Sequence, residues 1–292
     1  MKPSAFDYYA PDTVEEALAL LAEHGSDAKP LAGGQSLIPA MNFRVLQSAL
    51  LVDLNRLTTL DGIRHIDGEL RIGAMTRQRR IERDSLVKQL APLLHETMPY
   101  IAHPQIRNRG TLGGSLVHAD PAAELPVIAI ALNARLRAQS VAGERWLTAQ
   151  EFFLDMFTTA LQPDELLVEI AFPVLPSRVG WSFTEFARRR GDYALIGIAA
   201  WIALDDRGLC REAHLVYLNA GNGPIAARSA AQLLQGQEIS IEAIEAAAAA
   251  ADREIDPTGN VHCTPAYQRH LAHILTRRAL LQANARAKAN LP

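Results

Sequence analysis

Apolar positions along the first half of the chain recur with two periods that keep trading places, one suited to strands and one to helices. Ala5 to Tyr9 predicts a short strand. Asp12-Thr13-Val14-Glu15-Glu16 then opens a helix: Asp12 or Thr13 supplies the capping oxygen, and the glutamates suit the positive N-terminal end. Val14, Ala17, Leu18 and Leu21 fall on one face, and Gly25 is a natural terminator. Lys29 to Ala32 predicts a strand, about Leu37 to Phe43 a helix, and the apolar run Leu50 to Leu54 a buried strand. Between Gly62 and Gly73, Ile63, Ile66, Leu70 and Ile72 flank Asp67-Gly68, a hairpin signal. Helices are predicted to open at Thr76 and at Ser85, the second running to about Thr97. Pro121 to Leu132 reads as a buried helix, and Arg135 to Gln139 and Leu166 to Phe172 as strands.

The texture changes between Pro173 and Gly180, where Pro173 and Pro176 punctuate a linker. This sets a boundary between residues 1–176 and 177–292. Beyond it, Trp181 to Ala187, Ala194 to Leu204 and Glu212 to Asn219 predict three strands. Helices follow at Ala227 to Leu234, Ser240 to Arg253 and Pro265 to about Ala285, the last with Thr264 as N-cap and Pro265 at its first position. The run Ala246 to Ala251 predicts a helix that packs closely on a neighbour. Strands followed by helices define an α+β second domain.

Composition narrows the classes. A chain of 292 residues fits two domains. The net charge of −3, with no basic stripe, leaves no electrostatic footprint for nucleic acid. The two cysteines, Cys210 and Cys263, are too far apart in sequence for a CxxC motif and imply no disulfide framework, which suits a reducing compartment. A thiolate-held iron–sulfur cluster needs about four cysteines, so any such cluster belongs to another chain. The first ten residues carry no apolar signal core, and no apolar run reaches the ~18 residues of a membrane span. A cytoplasmic protein is expected.

Two glycine loops carry the chemistry: Ala32-Gly33-Gly34-Gln35-Ser36-Leu37 and Thr111-Leu112-Gly113-Gly114-Ser115-Leu116. Adjacent glycines allow positive φ, which turns successive N–H groups into one concavity, and without a Cβ the backbone approaches phosphate oxygens closely. Ser36 adds a hydroxyl and a cap for the next helix, whose N-terminus favours anions. A lone Gly-Gly step is ordinarily a turn; two alike, each after an apolar segment, point to an anion or dinucleotide site.

The stretch Ala32 to Pro39 resembles the first FAD loop of the medium subunits of molybdenum hydroxylases, the group of carbon monoxide dehydrogenase, xanthine dehydrogenase and bacterial N-heterocycle dehydrogenases. Arg109-Gly110-Thr111-Leu112-Gly113-Gly114-Ser115, followed by Ala119-Asp120-Pro121-Ala122-Ala123-Glu124-Leu125-Pro126, resembles the second. Arg189-Arg190-Gly191-Asp192-Tyr193-Ala194 is similar to a signature at the start of that family's C-terminal domain, and Tyr267 to Leu271 with Arg277 to Leu280 to its last helix. The resemblance implies a vanillyl-alcohol-oxidase-type FAD-binding domain of two α/β subdomains, then a small domain of a three-stranded antiparallel sheet and helices. It implies FAD phosphates held by Ala32, Gly33, Gly34, Gln35, Ser36 and Leu37 and by Thr111, Gly113, Gly114 and Ser115. It also implies a ribose or adenine contact at Glu124, a main-chain flavin contact at Leu166 or Leu167, and Asp192 and Tyr193 near the isoalloxazine. Implied partners are a large molybdopterin-binding subunit and a small 2Fe–2S iron–sulfur subunit, with this chain relaying electrons to an external acceptor.

One departure stands out. Relatives often carry lysine in the stretch matching Phe183 to Arg190, whereas this chain has Glu185 and Ala187, with Arg188 the nearest substitute. Other signals read as structure. Gly221-Asn222-Gly223-Pro224-Ile225-Ala226 mimics a Rossmann fingerprint, but Pro224 removes an N–H where phosphate would need one and no acid-bearing strand follows. His103, His118, His262, His270 and His273 lack metal-ligand spacing. Arg77-Gln78-Arg79-Arg80 and Arg188-Arg189-Arg190 read as solvated faces, the second alternatively as a contact for a partner subunit or a bound nucleotide. A self-contained FAD oxidoreductase of the same fold is the alternative, although no catalytic acid–base set for one is evident.

Overall fold

A computed structural model describes residues 1–290; Leu291 and Pro292, the end of the second predicted domain, lie outside the described residues. The chain begins with a small parallel sheet built from β1 (Asp7–Tyr9), β2 (Ala28–Leu31) and β3 (Leu50–Asp53) in the order β1-β3-β2. Between them lie α1 (Val14–His24) and α2 (Leu37–Asn42). Of the two candidate caps of α1, Thr13 is the one used: its hydroxyl accepts the Glu16 N–H at 3.2 Å. Leu18, Leu21, Leu50 and Val52 form this unit's core with Met75 and Val168 from the next.

The next unit contains β4 (Ile63–Ile66), β5 (Glu69–Gly73), α3 (Gln78–Arg83), α4 (Ser85–Leu90), α5 (Pro92–Thr97), α6 (Pro104–Arg109), α7 (Leu112–His118) and α8 (Glu124–Ala131). It continues with β6 (Arg135–Ser140), β7 (Gly143–Thr148), α9 (Ala149–Phe152), the short pair β8 (Phe153–Asp155) and β9 (Thr158–Thr159), and β10 (Leu166–Pro173). An antiparallel sheet runs β4-β5-β10-β6-β7, with β10 at its centre. The Asp67-Gly68 turn has positive φ at both residues, 52° and 76°, as a two-residue hairpin of this hand requires. The helix expected from Ser85 to Thr97 is two helices. Pro92 cannot donate an N–H and its ring forces Ala91 out of helical space, to φ −134° and ψ 62°. The helix expected at Thr76 starts at Gln78, because the buried Thr76 hydroxyl bonds Gly62 instead.

The second half has β11 (Val179–Ala187), β12 (Ala194–Leu204), β13 (Cys210–Leu218) and β14 (Ile225–Ala226), then α10 (Arg228–Leu234), α11 (Ile241–Ala251) and α12 (Pro265–Ala289). Its antiparallel sheet, β11-β12-β13-β14, has one strand more than the three expected. The extra strand is two residues long, too short to leave a pattern. All of β12 is buried because each face has a cover. Ala199, Trp201 and Ala203 pack into the core shared with α5 and α8, while Ile198, Ala200 and Ile202 pack towards α11 and α12. The Trp201 indole N–H donates to the Ala131 carbonyl at 2.6 Å, fixing the end of α8 against the sheet.

Candidate cofactor site

The first glycine loop links β2 to α2. Gly34 is in left-handed space, with φ 70°, which a side chain rarely adopts. The Gln35 side-chain amide donates back to the Gly33 carbonyl at 3.1 Å, folding the loop on itself. None of the backbone N–H groups of Gly33, Gly34, Gln35, Ser36 and Leu37 donates to a backbone carbonyl, whereas the helix bonds beyond them, such as Ile38 N–H to Gly34 carbonyl at 3.3 Å, are made. Ser36 stands at the cap position of α2, but its hydroxyl makes no capping bond, contrary to the role expected of it. Its N–H and hydroxyl, like the neighbouring N–H groups, make no hydrogen bond within the described residues.

The second loop is built differently from the expected concavity. Gly113 and Gly114 lie in the first turn of α7, which Thr111 caps by accepting the Gly114 N–H at 3.0 Å. The N–H groups of Leu112, Gly113 and Ser115 also have protein acceptors, namely the carbonyls of Thr76, Ala74 and Thr111. Glycine is required here for closeness: a Cβ at Gly113 would lie 2.6 Å from that of Ala74, and one at Gly114 would lie 2.7 Å from the Thr111 hydroxyl and 3.4 Å from the Ala32 Cβ. A Cβ at Gly33 would likewise sit 2.5 Å from the Arg109 carbonyl oxygen. The two loops therefore abut, backbone to backbone, with Ser36 and Ser115 only partly buried.

Residues outside both loops hold them together. The Asn55 side-chain N–H donates to the Ala32 carbonyl at 3.0 Å. Arg77 donates from one guanidinium nitrogen to the Asn55 side-chain carbonyl and from another to the Arg109 carbonyl. Burial, then the charge of Arg109, lowers the Arg77 pKa from its ordinary value. Arg77 is thus a half-buried tie and no part of a solvated face. Next to it, buried Gln78 donates its N–H to the Gly110 carbonyl at 2.9 Å. A run of arginines carried no local sign of these contacts.

Below the second loop, Ala119 takes left-handed φ of 49° and turns the chain towards Glu124, at the start of α8. Burial raises the Glu124 carboxyl to about 7, with the Asp120 charge adding to it. Glu185 on β11 is raised further, to about 8, by burial and then by the charge of Glu124. One Glu185 oxygen is buried with no hydrogen-bond partner. The Glu185 carboxyl therefore favours its neutral form. The Arg188 guanidinium, in the same stretch, is engaged by the His262 ring at 3.1 Å.

Tyr193 follows Gly191, whose φ of 87° and approach to the His103 ring leave no room for a Cβ. Tyr193 is 71% exposed, so it is no core aromatic. Burial, then the charges of Asp120 and Glu124, raises its pKa above the ordinary value. Asp192 is tied back through its N–H to the Arg189 carbonyl at 3.1 Å. Leu167 is buried in the core and paired with Ala138 of β6, beside a register shift in that pairing. His118 packs at a tilt against Phe157 with ring centroids 5.1 Å apart, and among the described residues no group of metal-binding side chains occurs.

Abutting glycine loops with unspent N–H donors suit a large dinucleotide. A family model described as the FAD binding domain in molybdopterin dehydrogenase matches residues 4–175. Another, the CO dehydrogenase flavoprotein C-terminal domain, matches residues 181–283. The 6-hydroxypseudooxynicotine dehydrogenase complex subunit alpha of Paenarthrobacter nicotinovorans is 45% identical over 99% of this chain and 97% of that one. The carbon monoxide dehydrogenase medium chain of Afipia carboxidovorans is 35% identical over 99% of this chain and 100% of that one. A solved carbon monoxide dehydrogenase from Hydrogenophaga pseudoflava superposes with a TM-score of 0.95 at 37% identity, covering 98% of this chain and 99% of that one. The chain belongs to the family of FAD-binding medium subunits of molybdenum hydroxylases. Its cofactor is FAD, and it is a subunit of an oxidoreductase.

Proposed function

We propose that this chain relays electrons, taking them from the iron–sulfur clusters of a small 2Fe–2S partner and passing them to an external acceptor, while a large molybdopterin-binding partner oxidises the substrate. The observation that carries the reading is the unspent row of N–H donors at Gly33 to Leu37 lying against the second glycine loop. Such a row stabilises a pyrophosphate without lysine or arginine. FAD, when bound, supplies the capacity to accept electrons and release them at a different rate; the protein contributes binding, orientation and electrostatics.

In this assignment Ala32, Gly33, Gly34, Gln35, Ser36 and Leu37 receive the phosphates from one side, and Thr111, Gly113, Gly114 and Ser115 close the other. Glu124, half-buried and held near neutrality, suits the hydroxyls of a ribose, to which a carboxyl group both donates and accepts. The Leu167 main chain, Asp192 and Tyr193 border the ring system, and Tyr193 shields one face of it. Residues 1–176 form the FAD-binding domain and residues 177–292 the C-terminal domain. Among the described residues no helix is long and apolar enough to cross a membrane.

The test is an absorbance spectrum with mass spectrometry of the natively purified material. Flavin bands with two co-purifying chains, one cysteine-rich and one large, support the relay. A yellow chain without partners moves the assignment to a self-contained flavoenzyme, and a colourless chain that takes up no added FAD ends it.

A further inference from the structure

We infer that Arg77, acting through Asn55, is the positioning residue that sets the spacing of the two glycine loops around the pyrophosphate; the inference rests on the cofactor assignment above. The first loop is held at the Ala32 carbonyl by the Asn55 side-chain N–H at 3.0 Å. Asn55 is itself fixed, its backbone N–H donating to the Asp53 carboxylate at 2.9 Å. The arm leading into the second loop is held at the Arg109 carbonyl by Arg77. Arg77 joins the two anchors by donating also to the Asn55 side-chain carbonyl. Between these anchors the loops touch directly, since a Cβ at Gly33 would meet the Arg109 carbonyl oxygen and the Gly110 Cα.

The geometry asks for a planar fork. One guanidinium reaches two carbonyl oxygens on separate segments, whereas a lysine ammonium is a single point on a flexible stem. Position 77 is also stiff: Gln78 N–H to Gly110 carbonyl and Leu112 N–H to Thr76 carbonyl bracket it in a short antiparallel bridge with Thr111. A change in the tie would therefore reach Thr111 and Ser115 as a shift of the whole loop, without touching the ligand.

The test uses the full chain as natively purified, freed of FAD and titrated back with it. Arg77→Lys keeps the charge and loses the fork; Asn55→Leu keeps the volume and removes both bonds. Each is expected to raise the FAD dissociation constant about tenfold, the scale of one displaced hydrogen bond. Each should also displace the ³¹P resonances of the bound pyrophosphate. The double variant should bind no more weakly than the weaker single one, because both act through one tie. An unchanged dissociation constant overturns the inference. So does a weakened one with unmoved ³¹P resonances, since that marks a merely structural role. Should one variant fail to fold, the other carries the same two readouts. Gly114→Val separates the readings: if it retains FAD fully, the cofactor assignment of the loops fails. If it loses FAD while Arg77→Lys binds like the parent, only the tie fails.

Discussion

At the scale of single residues, the glycines and the two raised carboxyl groups make the sharpest demands. Gly34→Val places a branched side chain at φ 70°, a strain of about 1–3 kcal/mol, with its Cβ pressed to 3.2 Å from the Ile38 and Leu31 side chains, which distorts the turn that presents the loop's N–H groups. Gly114→Val drives a Cβ into the Thr111 hydroxyl that caps α7. Both variants should fail to retain FAD, and the flavin absorbance per chain measures this; full occupancy in either refutes the loop assignment. Glu185 gives a pH signature. Its carboxyl is raised from 4.5 to about 8 by burial and by Glu124. Below about pH 4.5 both folded and unfolded chains hold the proton and the group makes no difference. As the pH rises from there to about 8, the unfolded chain releases a proton that the folded chain keeps, so stability falls, and above that range the loss is complete. Glu185→Gln should match the parent's thermal midpoint in acid and exceed it at alkaline pH, measured without FAD. Parallel curves would show that Glu185 ionises as freely in the fold as outside it. Gly34 was legible in the sequence because the left-handed φ of its turn is a local property, whereas the helical setting of Gly113 and Gly114, close against Ala74 and Thr111, was not. Asn55 and Arg77 were not, because a tie between segments depends on where the chain returns, and an arginine run looks the same whether or not water covers it.

At the scale of elements, legibility followed the range of the cause. The Asp67-Gly68 hairpin and the Thr13 and Thr264 caps depend on neighbours in sequence, and each formed where read. The break at Ala91 was equally local, a consequence of Pro92 that a pattern of apolar residues running through it concealed. The seat of α12 on the second sheet depends on a distant contact. A Cβ at Gly180 would lie 1.8 Å from the Ala283 carbonyl oxygen and 2.4 Å from the Ala287 nitrogen, so this strand and helix meet through bare backbone. Ala279, Ala283 and Ala287, all fully buried, are the small residues that permit the approach. Gly180→Ala must push the helix outward and should lower stability by about 1–3 kcal/mol, the usual range for overpacking. The midpoint of denaturant unfolding reads this directly, and a midpoint equal to the parent's would mean the helix yields without loss. Gly180 had looked like the end of a linker; only its partner reveals its packing role.

At the scale of the whole molecule, two family models and a proline-marked linker describe two domains, yet one core crosses between them. Phe183, Ala199, Trp201, Val216 and Leu218 from the second half pack in the same cluster as Leu94, Val127, Ile128 and Ala131 from the first. The helix α8 is buried along its whole length from Leu125 to Ala131, which a helix at a free surface would not be. Polar contacts cross as well: one Glu96 oxygen accepts from the Trp181 indole at 3.0 Å and from Arg286 at 2.6 Å. The sequence showed an apolar strand at Ala194 to Leu204 but no alternation to say that its faces serve two covers. A fragment of residues 1–176 would therefore leave α8 and α5 with an exposed apolar face where the sheet had been. It should be insoluble, or bind a hydrophobic dye and lack a cooperative thermal transition, whereas the full chain should unfold in one calorimetric transition. A soluble fragment with a sharp transition of its own would show that the first half completes its core alone. The second half would then be an addition to the cofactor site rather than a wall of the same core.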